Sequence, residues 1–259
     1  MYTPEDRRLD GKKGLVLGIA NEGSIAYACA EAFKFLGADL AITYLNEKAK
    51  PYVEPIAEKL DAPIFLPCDV TKEGELEAVF EAIDNQWGKI DFALHSIAFA
   101  PRDDLHGRLV DCSAEGFTKA MDVSCHSFLR MARLSEPLMT DGGTLFAMSF
   151  YGAEKVVNRY NLMGPVKAAL ESCCRYLAAE LGPKGIRVHA ISPGPIKTRA
   201  ASGIAEFDEM LDDAASRAPA GQLVTIEDVG MVCASLATPA DRLLTGATIY
   251  IDGGYHIMG

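Results

Sequence analysis

The chain has 259 residues, of which 49% are hydrophobic and 24% are charged, and its formal net charge is −11. The hydrophobic share is large enough to build a core, and the acidic balance argues against nucleic acid or an anionic membrane as the main partner. The first ten residues are polar and no apolar run could span a bilayer, so we expect a soluble, cytoplasmic protein.

The cysteines give no sign of a metal site. Seven cysteines and five histidines occur in the chain. There is no Cys-x-x-Cys pair, and the two residue types do not share the spacing of metal ligands. An odd number of cysteines in a chain of this length is typical of reduced thiols. We therefore expect neither disulfide bonds nor a bound metal.

Short apolar runs alternate with helical patterns along the whole chain. Such strands indicate a parallel sheet with helices on both faces. We predict the α/β class: one Rossmann-type doubly wound domain over residues 1–259, built on a seven-stranded parallel sheet. The strands are expected at residues 14–18, 39–44, 64–66, 90–95, 143–148, 186–191 and 247–252, and the main helices at 24–36, 47–60, 73–86, 113–139, 160–181 and from 225.

The first predicted strand is followed by a glycine-containing turn and a helix. Gly18 and Gly23 lie in the turn, and Ser24 is placed to cap the helix. This order points backbone N–H groups at a pyrophosphate. The full G-x-G-x-x-G pattern is missing, so an ordinary strand-to-helix turn explains the segment as well as a dinucleotide site does.

Several predicted strands end in residues suited to ligand binding, namely Gly18, Asp69, Ser96 and Ser149. Ligands of doubly wound sheets bind beyond the C-terminal ends of the strands. We therefore expect one binding site along this edge.

Tyr160 and Lys167 are seven residues apart in a segment that we expect to form one helix. Seven residues are nearly two turns, so both side chains would leave the same face, about 10 Å apart along the axis. A nearby ammonium would lower the pKa of the phenol and help it to share a proton with a reacting oxygen. By itself, a buried tyrosine with a solvated lysine is the commoner explanation of this spacing.

The order of these residues resembles that of the short-chain dehydrogenase/reductase superfamily. The chain is still more similar to the bacterial enoyl-acyl-carrier-protein reductases, a divergent branch, over almost its whole length. The resemblance implies an NADH-dependent reductase of enoyl thioesters in fatty acid biosynthesis, with NADPH less favoured and a homotetrameric assembly. The motifs that carry it include Gly18, Asp69, Ser96, Tyr160, Lys167 and residues 68–70, 95–100, 152–154, 160–164, 192–196 and 200–204.

The resemblance also implies roles for individual residues. Tyr160 would hold the enolate oxygen, Lys167 would hold the nicotinamide ribose, and Phe150 stands where many relatives have a second tyrosine. The cofactor would lie against Gly18, Ile19, Ala20, Ser24, Ile25, Leu45, Asp69, Val70, Ser96, Ile97, Ala98, Lys167, Gly194, Ile196 and Thr198. The acyl group would lie against Phe99, Ala100, Tyr160, Met163, Ala200, Ala201 and Met210.

Two departures from the mainstream superfamily favour enoyl reduction over carbonyl reduction. Ala147 occupies the position of the catalytic serine, thirteen residues before Tyr160, and residues 95–98 replace the usual Asn-Asn-Ala-Gly. A carbonyl reductase without that serine would lose a hydrogen bond to the developing alkoxide. A carbonyl or alcohol oxidoreductase, and a dinucleotide-binding regulator without turnover, remain the alternatives.

Two further features concern selectivity. Leu45 and Asn46 supply neither a carboxylate for the adenosine ribose nor a cation for a 2′-phosphate, although Lys48 and Lys50 follow closely.

The sequence leaves open whether the substrate is carried by acyl carrier protein or by coenzyme A. A helix expected after Ile204 has five carboxylates where relatives tend to be basic, which would weaken docking of an acidic carrier: Glu206, Asp208, Glu209, Asp212 and Asp213.

Overall fold

A computed structural model describes residues 8–198 and 207–258 of the chain. Seven strands, all pairing in parallel, form one sheet in the order β3-β2-β1-β4-β5-β6-β7. This confirms the predicted α/β doubly wound class. The strands are β1 Lys13–Leu17, β2 Asp39–Tyr44, β3 Ile64–Pro67, β4 Phe92–His95, β5 Gly143–Met148, β6 Ile186–Pro193 and β7 Thr248–Ile251.

Helices cover both faces of the sheet, because successive side chains of each strand point to opposite faces. In β1, Leu15 and Leu17 join a core with α3, α6 and α7, whereas Val16 joins a core with α1, α2 and α9. No helix of the described residues has the length and hydrophobicity to cross a membrane. The helices are α1 Ile25–Phe35, α2 Lys50–Lys59, α3 Glu75–Trp87, α4 Arg102–His106, α5 Ala114–Met121, α6 Ser127–Ser135, α7 Met163–Leu181, α8 Phe207–Arg217 and α9 Ile226–Ala237.

The predicted long helix over residues 113–139 is interrupted by a π turn. Ser113 caps α5 by accepting a 2.9 Å hydrogen bond from the Gly116 N–H. The π turn, Asp122–His126, then joins α5 to α6. Such turns insert an extra residue and are frequent at functional sites. The turn projects Ser124 toward the loop after β4, where its hydroxyl bonds the backbone of Phe99.

The prediction that Tyr160 and Lys167 share one helix is wrong. Helix α7 begins at Met163, so Lys167 lies on it and Tyr160 precedes it. Arg159 and Asn161 have φ angles of 65° and 40°, in the left-handed region that a right-handed helix does not visit. The two reversals on either side of Tyr160 turn the chain sharply. Seven-residue spacing therefore does not place the two side chains on one helical face.

Candidate active site

The predicted binding edge is formed by the ends of three central strands. Leu17 pairs with His95, which in turn pairs with Ala147. The residues that follow, Gly18 and Ser96, are therefore neighbours, and the Ser96 N–H donates to the Leu17 carbonyl at 3.1 Å. Farther along the edge, the Ser149 N–H donates to the Ile191 carbonyl at 2.6 Å, and Gly194 N–H donates to the Ile251 carbonyl at 2.9 Å.

The turn after β1 requires glycine at position 18. Gly18 has a φ of 99°, which L side chains rarely adopt. A Cβ atom there would lie 2.1 Å from the Ser96 carbonyl oxygen, far inside van der Waals contact. The absence of a side chain thus lets the β1 and β4 loops touch and opens a path to the start of α1.

The start of α1 fits an anionic cofactor group. Ser24 is the N-cap residue, as predicted, but its side chain makes no capping bond. Its hydroxyl donates instead to the Asn21 carbonyl at 2.6 Å and accepts a long bond from Ala20 N–H at 3.4 Å. Because no side chain caps this helix, its first N–H groups can bind a pyrophosphate. The predicted residues Ile19 and Ile25 are buried and partly buried in the core beneath this turn.

The other predicted cofactor residues lie on both sides of this turn. Leu45, at the end of β2, is 52% exposed. Asp69 accepts two bonds from Thr71, and Val70 is buried in the core with its carbonyl bound by Arg130. Beyond β4, Ile97 is partly buried and Ala98 exposed, and after β6 Gly194 is buried while Ile196 is partly buried and Thr198 half-buried.

Tyr160 lies in a small apolar cluster that contains several predicted residues. Its ring centroid lies 5.0 Å from that of Phe150, with the planes at 63°. Met163 and Ala100 belong to the same cluster. A Cβ atom on Gly152 would lie 2.6 Å from the Tyr160 ring, so glycine is needed there for the ring to fit. The predicted catalytic phenol and part of the predicted acyl pocket thus come together.

Among the other predicted acyl-pocket residues, Phe99 has a described side chain, and it does not belong to this cluster. The side chain of Phe99 is 44% exposed, and Lys119 lies over its ring with Nζ 5.4 Å from the centroid. Ala200 and Ala201 lie outside the described residues. Met210 belongs to α8, and its side chain also lies outside what the structure describes.

Lys167 is held inside the protein and not in solvent. Its side chain is only 4% exposed, and Nζ donates a 2.6 Å hydrogen bond to the Met148 carbonyl at the end of β5. Burial lowers the pKa of Lys167 to about 8, because the charged form loses hydration. A lysine in this range changes charge near physiological pH.

The pKa of Tyr160 is shifted in the direction opposite to the one expected. Burial, followed by the negative charge of Glu171, raises the pKa of Tyr160 above its ordinary value. The phenol is therefore protonated at neutral pH and can donate a hydrogen bond. The site provides a neutral donor within an apolar cluster, with a buried ammonium on the next helix.

His95 is buried and neutral beside the site. Its Nε2 lies 2.7 Å from the Ser127 hydroxyl, which donates its own proton to the Val123 carbonyl at 2.7 Å. The imidazole must therefore donate from Nε2, which leaves Nδ1 without a proton. Burial, and then the charge of Lys167, lower the pKa of His95 to about 3. His95 is therefore an uncharged, fully buried residue at the end of β4, before the loop that follows this strand.

Sequence reasoning missed two residues that build this site, and the role of a third. Glu171 is a buried carboxylate near Lys167, and Ser124 fixes the loop at Phe99. Gly152 belongs to one of the motifs of the resemblance, but its role, to make room for the Tyr160 ring, was not predicted. Only Glu171 had a readable signal, since it follows Lys167 by four residues in a predicted helix. The π turn that places Ser124 has no comparable pattern in the sequence.

Comparisons with known proteins converge on one group. A family model described as enoyl-(acyl carrier protein) reductase matches residues 18–256. Among curated proteins, enoyl-[acyl-carrier-protein] reductase [NADH] 1 of Rhizobium meliloti is 45% identical over 97% of this chain and 92% of its own length. The FabI enzyme [NADH] of Salmonella typhimurium is 44% identical, over 96% of this chain and 95% of its own.

Solved structures agree with these matches. An enoyl-(acyl-carrier-protein) reductase of Anaplasma phagocytophilum in complex with NAD has a TM-score of 0.93 and 43% identity, covering 97% of this chain and 96% of that one. The enzyme of Bacillus cereus, in complex with NADP+ and indole naphthyridinone, has a TM-score of 0.94 and 43% identity, covering 97% and 98%. This chain is thus similar to proteins solved with either nicotinamide dinucleotide.

Proposed function

The chain belongs to the enoyl-(acyl carrier protein) reductase family, and from that premise we propose that it reduces the trans-2 double bond of fatty enoyl thioesters with NADH. The observation that carries the proposal is the surrounding of Tyr160. A protonated phenol lies among Phe150, Met163 and Ala100, an apolar setting suited to an acyl chain. Ala147, buried on β5, has no hydroxyl for a carbonyl substrate.

Different residues are proposed to bind the different chemical groups of the cofactor. The uncapped start of α1 and the Gly18 turn would receive the pyrophosphate. Lys167 has three N–H donors, one of which is used on Met148, and the others would meet the nicotinamide ribose hydroxyls. When bound, NADH supplies the hydride that the substrate takes up at Cβ.

Tyr160 is the proposed catalytic donor. As the double bond is reduced, negative charge develops on the thioester oxygen, and a phenol O–H aimed at that oxygen stabilises the enolate. The apolar cluster excludes water, which strengthens the hydrogen bond. Phe150 contributes the edge of its ring to this wall and no hydroxyl. The enolate is then protonated at Cα.

A comparison of two substrates tests the proposal against the carbonyl-reductase alternative. NADH oxidation is followed with a crotonyl thioester and with an acetoacetyl thioester, each on coenzyme A and on acyl carrier protein. We expect turnover with the crotonyl substrates only. Oxidation driven by the acetoacetyl thioester would favour the carbonyl alternative, and no turnover with any of the four would favour a non-catalytic regulator.

We also propose that the enzyme works in the cytoplasm as a homotetramer, as the family resemblance implies. Tyr176 on α7 is 71% exposed and Phe117 on α5 is 43% exposed, so apolar surface is present for contact between copies. Light scattering after size-exclusion chromatography should give the mass of four 27.9 kDa chains. A monomeric mass would refute this part of the proposal.

A further inference from the structure

Two consecutive residues at the end of β5 hold two side chains of α7. The Met148 carbonyl accepts the 2.6 Å bond from Lys167, and the Ser149 hydroxyl donates a 2.5 Å bond to Oε1 of Glu171. Lys167 and Glu171 are four residues apart on α7, so they lie on the same face in adjacent turns. Hydrogen bonds therefore attach both Lys167 and Glu171 to the end of β5.

Glu171 accepts a hydrogen bond at each oxygen of its side chain. It is 8% exposed, and Oε1 accepts from Ser149 and Oε2 from the Thr248 hydroxyl on β7 at 3.2 Å. The carboxylate also lines a cavity of about 400 Å³, whose other charged or phenolic lining groups are Glu154, Arg175 and Tyr250.

A buried ammonium needs a compensating charge, because burial without one is costly. The described titratable groups that act on Lys167, or on which Lys167 acts, are Glu171 and Cys174 on α7, Cys125 in the π turn and His95 on β4. Three of them are neutral at pH 7, because burial raises the pKa of Cys174, raises that of Cys125 to about 12 and lowers that of His95 to about 3.

We propose that Glu171 is a positioning residue that keeps Lys167 protonated and fixed against the end of β5. The inference rests on the proposed function, in which the charged Lys167 binds the nicotinamide ribose. Glu171 does not touch the reacting atoms and acts through the lysine. The cavity on its far side gives solvent access to the carboxylate without opening the apolar cluster around Tyr160.

The sign of the expected effect follows from the charges. Burial lowers the pKa of Lys167 to about 8, and Cys125, Cys174 and then the negative charge of Glu171 oppose that change. Replacing the carboxylate with an amide removes part of this opposition, so the pKa of Lys167 should fall further. Lys167 would then lose its proton, and NADH its ammonium partner, at a lower pH than in the wild type.

The test is the pH dependence of the NADH dissociation constant for wild type and Glu171→Gln, measured by nicotinamide fluorescence between pH 6 and 9.5. For the wild type, affinity should fall on the alkaline side of about pH 8. In the variant the fall should begin at a lower pH than in the wild type, because one of the groups that favour the charged lysine is gone. Glu154→Gln, in the same cavity, is the matched control and should keep the wild-type profile.

Two further variants separate the possible results. Glu171→Asp keeps the charge, so its profile should stay near that of the wild type even if the rate falls. A Glu171→Gln profile identical to the wild type, while Lys167→Ala loses NADH affinity, would overturn this inference and leave the proposed function standing. Lys167→Ala with unchanged NADH affinity and unchanged rate would overturn both this inference and the proposed function.

If Glu171→Gln does not fold, as judged by its thermal transition, the test uses Ser149→Ala and Glu171→Asp. Both variants retain the carboxylate. An alkaline limb of the pH profile that is displaced in either variant would contradict the role of the carboxylate charge.

Discussion

The two halves of the candidate site are built from different kinds of chemical groups. The nucleotide half, around the β1 turn and the start of α1, consists of backbone groups and small residues such as Gly18 and Ser24. The catalytic half, between β5 and α7, concentrates buried ionisable side chains, above all Tyr160, Lys167 and Glu171. Backbone donors offer a fixed partial charge, whereas buried side chains must be held in one protonation state by their neighbours.

This difference predicts which changes each half tolerates. The nucleotide half should resist side-chain substitution unless the backbone path itself is disturbed. The catalytic half should respond to the loss of a single polar atom even when its shape is retained. The following experiments test the contrast, from the largest expected effect to the smallest.

Tyr160→Phe removes one oxygen from the catalytic half and should give the largest effect. We expect kcat to fall by about 10²–10³-fold, as for the loss of one oxyanion donor. NADH affinity should hardly change, because the phenol is not assigned to the cofactor. Steady-state kinetics with fluorescence binding measure both quantities. Tyr151→Phe is the neighbouring control, and near-full activity of Tyr160→Phe would contradict the proposed chemistry.

Gly18→Ala adds one carbon to the nucleotide half and should disturb its backbone. The new Cβ would lie 2.1 Å from the Ser96 carbonyl at a φ of 99°. Strain of about 1–3 kcal/mol should weaken NADH binding by about 5- to 150-fold, while kcat at saturating NADH stays within a few fold. Gly23→Ala is the control, since its Cβ would meet only Asn21 at 3.5 Å. Equal affinities of the two variants would show that the turn is not the cofactor cradle.

The preference for NADH over NADPH should be modest. The end of β2 has neither a carboxylate for the adenosine ribose of NADH nor a cation for the 2′-phosphate of NADPH. Lys50 lies over the Tyr44 ring, 5.8 Å from its centroid, and pairs with Glu54 at 3.8 Å. We expect kcat/KM to favour NADH over NADPH by about tenfold, or 1.4 kcal/mol. Leu45→Arg should raise the NADPH value and Leu45→Gln should not. A wild-type advantage for NADPH would contradict this and indicate a lysine near the 2′-phosphate.

The smallest effect is expected outside both halves, on α8. Glu209 and Asp212 are exposed, whereas Asp213 is partly exposed and accepts a 2.6 Å bond from Tyr255. Glu206 lies outside the described residues, as does the side chain of Asp208. Like charges repel an acidic carrier weakly, so kcat/KM on carrier-bound substrate should rise slightly as salt screens them.

The double variant Glu209→Lys, Asp212→Lys should raise kcat/KM on carrier-bound substrate. It should leave kcat/KM on the coenzyme A substrate unchanged. Glu227→Lys, on the first turn of α9, is the control for a charge reversal away from α8. A wild-type rate that falls with added salt would show that basic residues elsewhere dock the carrier.

The nucleotide half and the sheet were more predictable from the sequence than the catalytic geometry. Strands such as residues 39–44 and 143–148 were predicted with the bounds that the structure gives, because buried parallel strands are continuously apolar. The last helix was predicted from residue 225, and in the structure Thr225 is the N-cap of α9 and forms a capping box with Asp228. Local patterns determine these features, so the sequence reveals them.

The catalytic half depends on tertiary contacts that local patterns do not encode. The left-handed residues beside Tyr160 are an arginine and an asparagine, which do not by themselves indicate a reversal. The local signal for a later helix start is Pro165, which a helix tolerates in its first turn and which lies two residues after Met163. The direction of the Tyr160 pKa shift depends on burial and on Glu171, which only the packing of α7 reveals. The family resemblance identified the residue pair but not the charge that accompanies it.

The position of the new hydrogens on the product tests the central claim most directly. The enzyme is given a crotonyl thioester with NADH deuterated at C4 in ordinary water, and then ordinary NADH in D₂O, and the butyryl product is examined by NMR. An enolate held by Tyr160 predicts cofactor deuterium only at Cβ in the first experiment and solvent deuterium only at Cα in the second. Cofactor deuterium at Cα, or turnover that leaves the double bond intact, would contradict the account.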